Sequence, residues 1–346
     1  MPGSARPIAI IGAGGIVHDA HLPAYRKAGF PVAAIVDAAA SRAASVAEKF
    51  SIPLVSNSVT DVLPKLPADC VFDIAVPAGS ILKILPDLPD GAAVLIQKPM
   101  GDTLEEASEI LKICRQKRLT AAVNFQLRYA PVMLAARRMI EAGAAGEIYD
   151  LKIEVNVFTP WDLWSFLATA PRLEILYHSI HYVDLVRSFL GNPVRVLAKT
   201  VRSPRTPRLA ATRTLIVMDY GDWKRVYIST NHSHNFRGSQ ESYVQWEGTD
   251  GVLRAVMGVN LDYPTGKPDS LRFAKTEQEW QTVPTTGNWF PDAFIGSMGS
   301  LQAYVTGDAK TLPTSVEDAI DTMRTVEAAY LSSTQDGVAL PEVNAQ

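Results

Sequence analysis

The residues best suited to chemistry fall into two groups, a glycine turn near the N-terminus and a pair of histidines midway along the chain. Gly12, Gly14 and Gly15 lie in Gly12-Ala13-Gly14-Gly15-Ile16-Val17, directly after the apolar run Pro7 to Ile11. Gly12 permits a tight turn and Gly14 lets the backbone approach a pyrophosphate. Amides around Gly15 and Ile16, opening the next helix, would meet the phosphate charge. Val17 stands where the usual fingerprint has a third glycine. Asp37 ends the next apolar run, where a carboxylate accepts hydrogen bonds from an adenosine ribose and opposes a 2′-phosphate. Arg42 acts the other way, since a guanidinium balances a phosphate. The pattern predicts a nicotinamide dinucleotide, NAD ahead of NADP; a plain strand-to-helix turn is the alternative.

His178 and His181 are three apart and share a helix face. That spacing could begin a metal site, but no third ligand accompanies it and no metal is assigned. Asp184, three beyond His181, either orients that ring or pairs elsewhere. Trp161 and Trp164 flank Asp162, and aromatic faces stack on the C–H faces of sugars. Arg128 and Arg172 offer forks for a carboxylate. Strand alternation places His232 and His234 on one face, solvated or at an interface. Ordinary alternatives accompany each: a structural helix histidine, a core tryptophan, and for Lys98, which precedes Pro99, a solvated strand-end lysine.

The elements that must position these groups alternate in the first third. Pro7 to Ile11, Val32 to Val36, Val71 to Val76, Ala93 to Gln97 and Thr120 to Asn124 read as strands. Ser41 to Phe50 and Leu104 to Lys117 read as helices, Ile81 to Leu88 as a shorter one and Val59 to Leu63 as a single turn. Nearly continuous apolar strands joined by helices predict a doubly wound parallel α/β sheet, a Rossmann domain, over residues 1–125. From residue 126 to 346 the expectation is an α+β domain with a large, open, mostly antiparallel sheet. It has helices at Pro131 to Ala142 and Ile175 to Leu190, a long strand at Glu147 to Phe158, and several strands after Gly191. The last helix, 316–332, is expected to pack back on the body. The segments NHSHNF and VQWEG suit a sheet-to-sheet contact between subunits, giving a homodimer or homotetramer.

Composition narrows the function classes. With 33 Lys and Arg against 36 Asp and Glu, the net charge of -3 gives no basic excess for nucleic acid. Hydrophobic residues make up 47% and no low-complexity tract occurs, so a packed core is expected. Cys70 and Cys114 read as unpaired core thiols. MPGSARP is too short and polar for a signal peptide, and no apolar run is long enough to span a membrane. A cytoplasmic location is expected.

Further motifs carry a resemblance. Val76-Pro77-Ala78, Gln97-Lys98-Pro99, and Asn124 through Arg128 to Pro131 occur in order, followed by Glu141-Ala142-Gly143 with Gly146-Glu147-Ile148, and by Tyr177-His178-Ser179-Ile180-His181-Tyr182-Val183-Asp184. Over nearly its whole length the chain resembles the glucose-fructose oxidoreductase and inositol dehydrogenase family, Gfo/Idh/MocA. The resemblance implies hydride transfer between nicotinamide and an alcohol carbon of a sugar, glycoside, polyol or sugar acid. It implies that Lys98 is the active-site lysine, that His181 transfers the proton, and that Pro77, Gln97 and Lys98 line the cofactor. Gln97 replaces the motif's glutamate, Tyr177 a substrate-binding aspartate and Ser179 a glycine, which points away from the family's best-known sugars. Substrate contacts are expected from Lys98, Arg128, Trp161, Trp164, Tyr177, His178 and His181. Alcohol oxidation needs a base and a group to bear the developing oxyanion; His181 suits the first and Lys98 the second, with the reverse open. A retained-cofactor isomerase or transfer enzyme and a non-catalytic sensor of the same fold are the alternatives.

Overall fold

The computed structural model describes residues 1–263 and 265–341, the Ser165 side chain excepted. The last five residues of the second predicted domain therefore lie outside the described residues. The first sheet is built from β1 (Ile8–Ile11), β2 (Val32–Val36), β3 (Leu54–Ser56), β4 (Val71–Ile74), β5 (Ala93–Ile96) and β6 (Thr120–Val123). All pairs are parallel, in the order β3-β2-β1-β4-β5-β6, which is that of a dinucleotide-binding sheet. Between the strands run α1 (Leu22–Ala28), α2 (Ala40–Phe50), α3 (Val59–Val62), α4 (Ile81–Ile84) and α5 (Leu104–Gln116). Every residue of β1, β4 and β5 is buried, as expected of strands covered on both faces. Each such Val, Leu or Ile contributes roughly 1.5–3 kcal/mol. Of these strands only β3 is missing from the sequence reading: Leu-Val-Ser is too short to carry a period.

After α6 (Pro131–Glu141) the chain forms an eight-stranded sheet: β7 (Ile148–Asn156), then, past α7 (Ile180–Leu190), β8 (Arg195–Val201), β9 (Arg213–Asp219), β10 (Arg225–Asn231), β11 (Glu241–Gly248), β12 (Gly251–Val256), β13 (Ser270–Lys275) and β14 (Gln281–Val283). The order is β14-β13-β12-β11-β7-β10-β9-β8, and only β10 with β7 is parallel. One face buries Leu151, Ile153, Ile216, Ile228, Val244 and Trp246 in the core; the other leaves Leu197, Leu215 and Val217 exposed.

Two helices close the fold. α8 (Asp292–Val305), which the sequence reading lacks, packs on α1 and β5, and its Phe294, Met298 and Leu301 join the core around Ile8, Tyr25 and Phe30. It is apolar nearly all round, so it shows no amphipathic stripe. α9 (Val316–Thr334) packs against α5, β6, α7 and β8 and so touches both sheets. Among the described residues no helix is long and apolar enough to cross a membrane.

Candidate active site

The glycine turn is held by backbone geometry. Gly12 has φ +109°, and a Cβ there would sit 2.3 Å from the Ala75 carbonyl oxygen, so only glycine fits. A Cβ on Gly14 would meet nothing within 4 Å: this space is left open beside the turn, not filled by protein. The Val17 and His18 amides donate back to the Gly14 carbonyl, and a wide π-turn, Val17–His21, leads into α1. At the end of β2 the Asp37 carboxylate accepts from the Ala13 and Ala39 amides, both at 2.8 Å, with the Arg42 guanidinium 3.5 Å away. A cradle that a side chain would fill, bordered by a carboxylate at the second strand end, fits a nicotinamide dinucleotide. Pro77 is exposed just beyond β4, and the Gln97 side chain accepts from the Lys98 amide at 3.1 Å.

Lys98 reaches across from the end of β5. Its ammonium donates to the Tyr177 carbonyl at 2.8 Å, and burial pushes its pKa down to about 8. Tyr177 belongs to a π-turn, Ile175–Ser179, where the sequence predicts regular helix; such wide turns recur at functional sites. The Tyr177 hydroxyl donates to Asp102 at 2.7 Å. Asp102 is fixed in turn by the start of α5: Thr103 caps the helix by accepting from the Glu106 amide, while the Glu106 carboxylate accepts from the Asp102 amide.

His178 and His181 follow on this wide turn and on α7. Burial, reinforced by Lys98, holds the His181 pKa well below the ordinary histidine value, and its Nδ1 has no partner among the described residues. Trp289 packs edge-on to that ring, centroids 5.6 Å apart. His178 lies among Trp161 at 5.0 Å, Trp164 at 6.4 Å and His232 at 4.4 Å, and its pKa is depressed by burial first, then by His232, Lys98 and His181. Trp164 also meets Tyr263.

Three sequence expectations are corrected by this geometry. Arg128 is no free anion anchor: its Nε and Nη2 bind both oxygens of Asp184 at 2.6 Å, Nη2 also binds Asp318, and Nη1 donates to the Pro313 carbonyl. The same pairing removes Asp184 from His181. Arg172 is likewise taken, by Glu327 at 2.6 Å. Finally, His232 is not on a solvated or subunit-facing side: it is buried against His178, in phase with Val226, Ile228 and Thr230 of β10, while His234 is half-buried. Of the two segments expected at a subunit contact, NHSHNF exposes Asn235 and Phe236, whereas Trp246 of VQWEG is buried in the core.

Sequence reasoning missed Asp102, Glu174 and Trp289. The capping pattern Thr103-x-x-Glu106 was the one available signal for the first. It also missed a buried polar cluster in which the Tyr25 hydroxyl donates to Asp73 at 2.7 Å and His21 Nδ1 lies 2.7 Å from the same oxygen. Among the described residues no group of three or more His, Cys, Asp or Glu side chains is arranged to hold a metal.

Comparison with known proteins defines the class. Residues 6–125 match the model of an oxidoreductase family's NAD-binding Rossmann fold, and residues 137–340 match the same family's C-terminal alpha/beta domain. The chain belongs to this family, Gfo/Idh/MocA, and is an NAD(P)-dependent oxidoreductase. It is 24% identical to D-apiose dehydrogenase of Rhizobium rhizogenes over 244 residues, covering 68% of this chain and 69% of that one. An oxidoreductase from Agrobacterium radiobacter, solved with NAD+, L-tartaric acid and magnesium, superposes with a TM-score of 0.81 at 20% identity, over 95% of this chain and 96% of that one. The aldose-aldose oxidoreductase of Caulobacter crescentus, solved with glycerol, also gives 0.81, at 15% identity over 95% and 98%.

Proposed function

We propose that the protein oxidises or forms a secondary alcohol on a small polyhydroxylated substrate, a sugar, polyol or sugar acid, with Lys98 and His181 as its catalytic residues. The observation that carries this reading is the 2.8 Å bond from Lys98 to the Tyr177 carbonyl, which joins the end of a cofactor-type sheet to the helix bearing both histidines. A bound nicotinamide supplies the hydride acceptor or donor. Gly12, Gly14, Gly15 and Ile16 cradle its dinucleotide, Asp37 and Arg42 border the adenosine end, and Pro77 and Gln97 flank the cleft. Asp37, already held by two amides, favours NAD over NADP.

His181 accepts the hydroxyl proton: a ring kept neutral by burial has a lone pair to offer at neutral pH. Lys98, largely charged below its pKa of about 8, faces the developing oxyanion. Trp161 and Trp164 wall the substrate, and Tyr177 and His178 add polar contacts. Relatives named for apiose and xylose support a sugar-like substrate. A second copy of this chain is the proposed partner for the outer face of the large sheet, where Leu197, Leu215 and Val217 are exposed.

The test is absorbance at 340 nm with NAD or NADP and pooled sugars, polyols and sugar acids, beside a product assay without added cofactor. Reduction of NAD by one pool is the expected result. Product without net reduction would instead mean a retained cofactor, and neither signal with any pool would overturn the reading.

A further inference from the structure

We propose that the cleft recognises an ionised carboxylate on its substrate through His178, backed by His232 and Glu174, and that binding draws one proton from solvent onto this set. The proposal rests on the dehydrogenase reading and names the substrate class of that same cleft.

The first observation is a local charge imbalance. The chain as a whole carries a net charge of -3, yet four basic groups converge here: Lys98, His178, His181 and His232. The nearby carboxylates are already engaged, Asp102 with the Tyr177 hydroxyl and Asp184 with Arg128. The third, Glu174, is fully buried behind His232, its Oε1 3.5 Å from His232 Nε2 and 2.6 Å from the Ser179 hydroxyl. His232 is fixed from its other side by Thr159, 3.0 Å from Nδ1.

The second observation is a pair of unpartnered hydrogen-bond donors. Buried indole N–H groups of Trp161, packed on His178, and of Trp289, packed on His181, have no acceptor among the described residues. An indole N–H only donates, as does a lysine ammonium, whereas a carboxylate only accepts. Neither arginine expected to bind an anion is free to do so, which leaves the histidines and Lys98, whose ammonium already donates to the Tyr177 carbonyl.

Proton uptake follows from the surroundings. His178 is faced by Lys98 from the first domain, by His181 on its own helix and by His232 from the end of β10; together with burial these keep it uncharged when the cleft is empty. Burial alone brings His232 down to about 3. Glu174 is faced by Ser179, Thr214 and Thr230, with Tyr182 and Tyr330 nearby, and burial raises its pKa. An anion beside His178 reverses that balance, and Glu174 stabilises the charge that spreads to His232. Affinity for the acid therefore falls as pH rises through the raised pKa of the bound histidine set.

Binding of D-glucuronate and D-gluconate is compared with that of D-glucose and D-glucitol on the full chain with NAD present. Tryptophan fluorescence gives affinity, and calorimetry in phosphate and Tris buffers gives proton uptake. The expected result is an acid preference of about tenfold or more with uptake approaching one proton. His178→Gln should abolish the preference, and Glu174→Gln, which keeps a hydrogen-bonding group for Ser179, should lower the uptake. Equal or tighter binding of the neutral compounds, acid binding without proton uptake, or no binding of either acid overturns the proposal. Absorbance at 340 nm is scored separately. Oxidation of glucose or glucitol with no acid preference would sink only the carboxylate proposal, whereas acid binding with uptake but no hydride transfer to any pool would sink only the dehydrogenase reading.

Discussion

The Lys98 ammonium donates to the main-chain carbonyl of Tyr177 at 2.8 Å, so the end of β5 in the first sheet is pinned to the helix that carries His178 and His181. Lys98 therefore ties the first sheet to that helix, besides the catalytic charge proposed for it. Replacing it with methionine preserves most of the volume and removes both the donor and the charge. Turnover should fall about 10²- to 10⁴-fold, with only a modest change in denaturation midpoint. Steady-state kinetics alongside urea denaturation would check this; turnover within threefold of the parent would remove Lys98 from the catalytic pair.

The pH profile separates the two candidate bases. Lys98 loses its proton near pH 8, while His181 remains neutral until well below its ordinary range. If Lys98 acts as a cation, as proposed, kcat/KM for alcohol oxidation should decline as pH rises through about 8, and Lys98→Arg should move that limb upward because a guanidinium stays charged. A profile that climbs through the same region would reverse the assignment and make Lys98 the base.

The Arg128–Asp184 pair predicts a stability effect without a chemical one. Both side chains are buried, and Arg128 also reaches Asp318, whose other oxygen lies 3.4 Å from Arg187. Arg128→Ala would strand the Asp184 carboxylate, whose ionisation burial already opposes. The cost should be about 3–5 kcal/mol by equilibrium denaturation, with kcat of the folded fraction little changed. A selective rise in KM at unaltered stability would restore Arg128 as a substrate contact.

How far the sequence carried the site depends on what each residue answers to. The glycine turn and Asp37 could be placed because they sit at the ends of apolar strands, whereas Lys98 stood out only through the resemblance of Gln97-Lys98-Pro99 to the family's motif. Arg128 was misassigned because its partners, Asp184 and Asp318, are 56 and 190 residues away. Local spacing cannot separate an anchor from an internal ion pair. His232 keeps the period of Val226, Ile228 and Thr230, but a period alone does not say which of the two faces is covered. α8 was lost because burial on most sides erased its period, and β3 because three residues hold none.

Gly12 and Gly14 should respond differently to the same change. Alanine at Gly12 forces a Cβ against the Ala75 carbonyl at a left-handed φ, which should cost about 1–3 kcal/mol of stability. Alanine at Gly14 meets open space and should leave stability unchanged or raise it by about 0.4–1 kcal/mol. Its added methyl would nevertheless occupy the approach of the pyrophosphate, so NAD affinity should weaken tenfold or more. Thermal denaturation without cofactor and NAD titration would separate the two effects; unaltered NAD affinity in Gly14→Ala would place the dinucleotide elsewhere.

Cofactor choice turns on Asp37, whose carboxylate already accepts from two backbone amides and lies 3.5 Å from Arg42. A 2′-phosphate at this strand end would meet that negative charge before it met the guanidinium, so NAD should be preferred. Asp37→Ser removes the charge and leaves Arg42 unpaired. The ratio of kcat/KM for NADP to that for NAD should then rise about tenfold or more, even though loss of the Ala13 and Ala39 hydrogen bonds lowers both values. Asp37→Asn keeps acceptor capacity without the charge and should move the ratio in the same direction with a smaller loss of activity. Competition assays with the two cofactors at equal concentration would measure this; an unmoved ratio in both variants would mean that Asp37 braces the glycine turn and takes no part in selecting the cofactor.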